Sequence, residues 1–355
     1  MSIPFVTALI DTYNHESFIA EAINSVLEQD FQASQTEILV VDDGSSDRTP
    51  DIVRKFAPRV RLLCKANGGQ ASAFNAGIRE ARGEIVAFLD GDDWWAPGKL
   101  SAIAQAFAAN PAVGLIGHGL TEVSRDGRRR TETPRQTQHL RVNSVDQAKK
   151  FRLQRGFLGT SRMAYRREAL RRIGPVPEVL TFEADEYLFT LGALLVGAVI
   201  LEESLTFYRL HERNLFQLAS GDTHALRRKQ QILVSLTQSL REKMRAEGIP
   251  CEIARTILEC VKVEAERLRL ELDRGFPWET ISTELQIMRV FHHDASFWQH
   301  LFSCARILPA AFLPSSTYYR CRQRLSQLAL YQRLRKKLLP FPVPRSTERR
   351  DEPAA

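Results

Sequence analysis

Ile85-Val86-Ala87-Phe88-Leu89-Asp90-Gly91-Asp92-Asp93 places an apolar run directly before three carboxylates packed into four positions. The run has the length of a buried strand. Three carboxylates at its end repel one another strongly and become tolerable when a hard divalent cation neutralises them. The same residues also suit a solvated acidic turn that caps the next helix. The apolar strand before them and Trp94-Trp95 after them favour a metal site.

The stretch upstream repeats this pattern of short apolar run, polar strand end and helical segment. Phe5–Ile10, Glu37–Val41 and Val60–Cys64 read as strands, and Glu16–Gln29, Asp47–Phe56 and Gln70–Ala81 as helices. Strands alternating with helices of this size make βαβ units, and so a mostly parallel sheet. Ligands of such sheets sit at the carboxyl ends of the strands. The unusual polar clusters fall at those ends: Thr12-Tyr13-Asn14, Asp42-Asp43, Asn67-Gly68-Gly69-Gln70 and Asp90-Gly91-Asp92-Asp93. One carboxylate of Asp42-Asp43 could accept from a nucleobase N–H or a ribose hydroxyl, or the pair could simply belong to a capping loop. No Gly-x-Gly-x-x-Gly follows the first strand, which argues against a nicotinamide site.

Length and composition agree with a soluble globular protein. The chain has 355 residues, 44% apolar and 26% charged, which suits two structural units and excludes collagen, a coiled-coil rod and extended disorder. The net charge of +7 suggests a nucleic-acid partner until it is divided by segment. Residues 1–123 carry 9 basic against 16 acidic side chains, 124–172 carry 15 against 4, 173–300 carry 14 against 19, and the last 55 carry 11 against 3. The acidic first third holds the strand-end clusters, so no nucleic-acid partner is expected. Five scattered cysteines, none in a Cys-x-x-Cys pair, fit a reducing cytoplasm. Neither a leader nor a spanning segment is expected, the longest apolar run being Leu191–Leu201.

Beyond residue 110 the pattern loosens. Residues 124–155 are basic and turn-rich and read as a mobile insertion. Thr160–Tyr165 and Leu205–Arg209 read as strands, and Ala184–Leu195 as a helix. After Ser220 long amphipathic runs appear: Leu226–Ala246, Ile253–Asp273, Ile281–Phe291 and Leu325–Leu338. The expected division is a catalytic domain over 1–220, a helical module over 221–340 and a disordered tail over 341–355.

Thr12-Tyr13-Asn14, Val40-Val41-Asp42-Asp43-Gly44-Ser45-Ser46-Asp47-Arg48-Thr49, Asn67-Gly68-Gly69-Gln70 with Asn75-Ala76-Gly77, and Phe88-Leu89-Asp90-Gly91-Asp92-Asp93 occur in that order. The chain thereby resembles the GT-A glycosyltransferases of family 2, inverting enzymes that use nucleotide-sugar donors. The resemblance is clear over residues 4–100, fainter to about 214 and absent from the helical C-terminus. It implies a GT-A type α/β fold, a Rossmann-like, mostly parallel sheet flanked by helices. Thr12, Tyr13, Asn14, Asp42 or Asp43, Asn67, Gly69, Gln70 and Asp90 would form the donor side. Asp90 and Asp92 would be the family's Asp-x-Asp motif, with Asp92 as ligand of Mn²⁺ or Mg²⁺ and Asp90 on the ribose or bridging through water.

Phe182-Glu183-Ala184-Asp185-Glu186-Tyr187 falls where the family has an acidic pair opening a helix, usually in the order Glu-Asp. The general base is then Asp185 or Glu186, and the sequence leaves both open. Tyr208-Arg209-Leu210-His211 with Asn214 resembles the family's Tyr-Arg-x-His-x-x-Asn stretch, which makes His211 a third metal ligand or a diphosphate contact. His292-His293 has no such context and reads as surface. The implied donor is a UDP-, GDP- or TDP-sugar. The implied acceptor is a glycan or lipid-linked hydroxyl at the cytoplasmic side of a bacterial inner membrane, where the basic C-terminal segment would make peripheral contact. A nucleotidyltransferase and a non-catalytic binding protein with a degenerate transferase fold remain the alternatives.

Overall fold

The computed structural model describes residues 5–211, 222–273, 275–291, 304–305 and 307–326. The first half builds one twisted sheet. Its parallel part consists of β1 (Val6–Thr12), β2 (Thr36–Asp42), β3 (Arg61–Cys64) and β4 (Ile85–Asp90) in the order β3-β2-β1-β4. The crossovers are α1 (Ile19–Leu27), α2 (Thr49–Arg54) and α3 (Gln70–Glu80). Val6, Ala8, Leu9, Ile10, Leu39, Val40, Val41, Phe88 and Leu89 are all buried, as a parallel sheet covered on both faces requires. Fully burying each large aliphatic side chain contributes about 1.5–3 kcal/mol.

Register is what brings the polar strand ends into one row. Thr12 pairs with Asp42, Asp11 with Asp90, and Asp42 with Cys64. A slip of one residue would turn these side chains to the opposite face.

The sheet continues past β4 with β9 (Ala164–Arg166), β6 (Leu115–Val123), β10 (Ala198–Arg209) and the short β5 (Trp94–Trp95). β9 runs antiparallel to both β4 and β6, whereas β6 and β10 are parallel. Two further short strands, β7 (Arg129–Glu132) and β8 (Gln138–Leu140), add to β6 and β10. The basic stretch read as a mobile insertion is therefore partly a sheet extension, followed by α5 (Val145–Gln154). Also in this half are α4 (Lys99–Ala109), α6 (Arg167–Ile173) and α7 (Ala184–Leu195). Thr160–Arg162, expected within a strand, is a single 3-10 turn.

The chain divides into two compact units. Among the described residues, one contains 5–147 and 154–211, and the other contains 148–153 with the residues from 222 onward. The second unit is helical: α8 (Thr223–Ala246), α9 (Cys251–Leu272), α10 (Pro277–Phe291) and α11 (Ser315–Ser326). Residues 148–153 lie inside the stretch read as catalytic yet pack with these helices. There the buried Arg152 guanidinium donates to the carbonyls of Thr256 and Val290 and pairs with Glu259. No helix of the described residues is long and apolar enough to cross a membrane. Most of Leu325–Leu338, Asn214, His292-His293 and the tail over 341–355 lie outside the described residues.

Candidate active site

Five carboxylates converge at the carboxyl ends of β1 and β4 and at the start of α7. Asp11 and Asp90 sit opposite each other in the β1–β4 register. Asp92 and Asp93 follow in the turn after β4, and Asp185 opens α7. Gly91 is required inside that turn. A Cβ there would lie 2.6 Å from Thr12 Oγ1 and 2.9 Å from His15 Nδ1, so the chain passes closely only without a side chain.

The electrostatics show how strained this grouping is. Burial, then the charges of neighbouring Asp92 and Asp185, push Asp11 well above the ordinary carboxylate range. Asp90 is raised by burial and then by Asp11, Asp93, Asp92 and Asp185, while Asp93 is raised by burial and Asp92 to about 8. Asp92 behaves differently. Burial opposes its charge, but the hydrogen bond from His211 and the charges of His15 and His211 hold it below the ordinary value.

His211 Nε2 lies 2.9 Å from Asp92 Oδ2, and His15 Nε2 lies 3.8 Å from the same oxygen. An aromatic and cationic stack supports that corner. The Phe18 ring is 4.8 Å from His211, and the Arg209 guanidinium lies over both Phe18 and Trp94. Arg209 also donates from its main-chain N–H to Asp93 Oδ1 and from Nε to the Asp92 carbonyl, which fixes the end of β10 against the acidic turn.

The donor set suits a hard cation. Asp11 Oδ1 is buried without a hydrogen-bond partner among the described residues, and Asp92 and His211 present an oxygen and a nitrogen at one point. No three His, Cys, Asp or Glu side chains among the described residues form a ready-made cage. An incomplete protein ligand set of this kind is what a cation needs when it also binds substrate phosphates.

The two candidates for the general base part ways. Glu186 is ion-paired with Arg155. Asp185 is raised by burial, against the opposing pull of the Thr160 N–H and the Arg162 charge, and it acts electrostatically on both Asp11 and Asp90. Its Oδ2 accepts from Thr160 N and Oγ1 at 3.2 and 3.3 Å. The preceding Glu183 is buried and holds the left-handed backbone conformation (φ 60°), a strained state for a non-glycine residue at the helix entrance.

On the β2 side, Asp42 and Asp43 also differ. Asp43 is fully engaged: it accepts from Lys65 Nζ at 2.6 Å, Gly69 N at 2.7 Å and Gly68 N at 3.0 Å. Asn67 donates to the Asp43 carbonyl. Asp42 accepts from Ser45 N through Oδ2, and its buried Oδ1 has no partner among the described residues. Asn14, with φ 56°, accepts from Ser46 N and so ties the β1 and β2 loops together, while Tyr13 is 47% exposed. Gln70 bridges Thr160 Oγ1 and Ala184 N, and Gly69 lies against Thr181.

Sequence reasoning missed Asp11, His15, Thr160 and Ser161. Asp11 carried a readable signal, since a carboxylate inside Val6–Thr12 interrupts an apolar strand. Thr160 and Ser161 carried none, because only the antiparallel return of β9 beside β4 brings their turn to the strand ends.

The family model described as glycosyl transferase family 2 matches residues 7–174. A curated relative, an uncharacterized glycosyltransferase of Nostoc sp., is 37% identical over 241 residues, covering 65% of this chain and 73% of that protein. Two solved structures share the fold. Staphylococcus aureus TarS 1–349 in complex with UDP-GlcNAc superposes with a TM-score of 0.54 at 19% identity, over 89% of this chain and 91% of that one. A Pyrobaculum calidifontis mannosyltransferase in complex with GDP-Man and Mn²⁺ gives 0.53 at 21% identity, over 96% and 86%. The acidic strand ends therefore sit in a GT-A fold, and the chain belongs to glycosyltransferase family 2.

Proposed function

We propose that the chain transfers a sugar from a nucleoside-diphosphate donor to an acceptor hydroxyl with inversion at the anomeric carbon. The observation that carries this reading is the pairing of a His211-bonded Asp92, held below the ordinary carboxylate range, with a buried Asp185, raised above it, in one carboxylate cluster. Asp92, His211 and Asp90 would hold Mn²⁺ or Mg²⁺, which neutralises charge on the departing nucleoside diphosphate. Asp42, with its free buried oxygen, is the residue for a nucleobase N–H or a ribose hydroxyl, and Asp43 keeps the Gly68-Gly69 loop in place.

Asp185 takes the proton of the acceptor hydroxyl as that oxygen bonds to the anomeric carbon and the bond to the diphosphate oxygen breaks. One displacement inverts the centre and needs no covalent enzyme intermediate. Glu186, held by Arg155, is not the base in this reading. The UDP-GlcNAc and GDP-Man found in the two solved relatives support a nucleotide-sugar donor, and the Mn²⁺ in one supports the metal. We place the acceptor among glycans or lipid-linked glycans of a bacterial cell surface, reached from the cytoplasmic face of the membrane.

The test is thermal stabilisation by UDP, GDP, TDP and their sugars, each with and without Mn²⁺ or Mg²⁺. A ligand at 100 times its Kd adds about 2.7 kcal/mol. A metal-dependent rise with one nucleotide is expected, and the absence of any rise across the panel would refute the donor site.

A further inference from the structure

The two halves of the site are joined through a single turn. Ser161 Oγ lies 2.6 Å from Asp93 Oδ2 and 3.2 Å from Asp90 Oδ2, and it accepts from Asp90 N at 3.1 Å. A hydroxyl carries one proton, and the shortest contact, to Asp93, takes it. The adjacent Thr160 donates from N and Oγ1 to Asp185 Oδ2, and Gln70 Nε2 donates to Thr160 Oγ1. The turn is itself anchored from below. The Ser161 carbonyl accepts from the fully buried Lys99 Nζ at 2.7 Å and from Thr206 Oγ1 at 2.6 Å. Thr160 and Ser161 are both buried.

We propose that the Thr160–Ser161 turn sets the spacing between the two catalytic halves, with Thr160 positioning Asp185 and Ser161 positioning Asp90 and Asp93. The proposal rests on the glycosyltransferase reading for its roles, although the geometry stands without it. Adjacent residues on a carbonyl pinned by Lys99 cannot move their partners independently, so base and donor-side carboxylates keep one separation. Fractions of an ångström matter at this point, because misplacement of reacting groups by about 1 Å can cost roughly 100-fold in rate.

Asp185 is faced by Asp11 from β1, Asp90 from β4, Tyr165 from β9 and Arg162 from the turn, with Glu186 and its partner Arg155 beside it. All of these remain in a Thr160→Val variant, which keeps the shape and removes one donor to the charged carboxylate. Asp185 should then be roughly 3- to 10-fold more protonated at a given pH. Carboxyl ¹³C NMR titration reads this directly, with the Asp185 signal assigned by its loss in Asp185→Asn. Thr160→Ser should restore the wild-type titration, and the acid limb of kcat/KM should follow the NMR shift. Ser161→Ala should leave the Asp185 titration in place and weaken binding of Mn²⁺ alone by roughly 10-fold.

An Asp185 titration unchanged in Thr160→Val overturns the proposal, as does an equal displacement by Ser161→Ala. A wild-type chain that binds neither Mn²⁺ nor nucleotide defeats the functional reading instead, and the NMR comparison still decides the role of Thr160.

Discussion

The two ends of the same parallel sheet bury carboxylates in opposite ways. At the amino end of β2, Glu37 accepts from Thr7 Oγ1 at 2.7 Å and from Arg82 N at 2.9 Å, and it pairs with Arg61, which reaches on to Glu80. At the carboxyl ends of β1 and β2, Asp11 and Asp42 each keep a buried oxygen with no partner among the described residues, and Asp11 in turn raises Asp90. A buried charge costs free energy unless it is paired and hydrogen-bonded. The amino end meets that requirement within the chain, whereas the carboxyl end does not meet it among the described residues. On the proposed reading, one edge of the sheet serves stability and the other serves chemistry.

The most severe way to break this contrast is to remove the ionised carboxylate. Asp92→Asn should lower metal-dependent turnover by roughly 1,000-fold or more and abolish metal-dependent stabilisation by nucleotide, with the circular-dichroism spectrum unchanged. Wild-type turnover would exclude Asp92 as a ligand.

Removing the proposed base comes next. Asp185→Asn should cost roughly 100- to 10,000-fold in kcat. Glu186→Gln, which only releases Arg155, should cost less than about 10-fold. A reversed order of these two variants would transfer the base to Glu186.

At the opposite edge the readout is stability and not rate. Glu37→Ala leaves Arg61 with Glu80 as partner but removes the acceptor of the Thr7 hydroxyl and the Arg82 N–H, and it should lower unfolding free energy by about 2 kcal/mol with little change in kcat. Equal damage to rate and stability would mean that the two edges are not separable.

The smallest effect is in pH dependence. Burial raises Asp185, so the folded state holds its proton more tightly than the unfolded chain. The stability it contributes is fully present below the ordinary carboxylate range and is lost as pH rises through the folded value. In the proposed role activity runs the other way, since a base works deprotonated, and kcat/KM should fall as pH drops through that same raised value. Asp185→Asn should therefore gain stability over wild type as pH rises above the ordinary carboxylate range, by about 1.4 kcal/mol for each tenfold displacement of the titration. A difference that stays constant as pH rises would argue against a raised Asp185.

The contrast also explains what could be read from the chain. The βαβ rhythm of residues 5–90 was legible because each strand centres on a short apolar run and each break is a polar cluster. β6 was not, since Gly117, His118 and Gly119 interrupt its apolar run. Gly117 is needed because a Cβ there would meet Leu158 Cδ2 at 2.4 Å. The strand is thus recognised by what packs on it and not by its own pattern. β7 and β8 hide likewise in a stretch whose arginines outweigh any alternation.

Within the site, the chain by itself determined which residue types stand at which strand end, because parallel βαβ units deliver every such end to one edge. It marked Asp42, Asp90, Asp92, the Asp185-Glu186 pair and His211 as candidates. It did not distinguish Asp42 from Asp43 or Asp185 from Glu186, because both members of each pair carry the same charge in the same turn. Tertiary structure gives the two members of each pair different partners. Lys65 and the Gly68-Gly69 amides occupy Asp43, and Arg155 occupies Glu186. Contacts between residues 22 to 31 positions apart engage Asp43 and Glu186, and no local pattern encodes a partner at that distance.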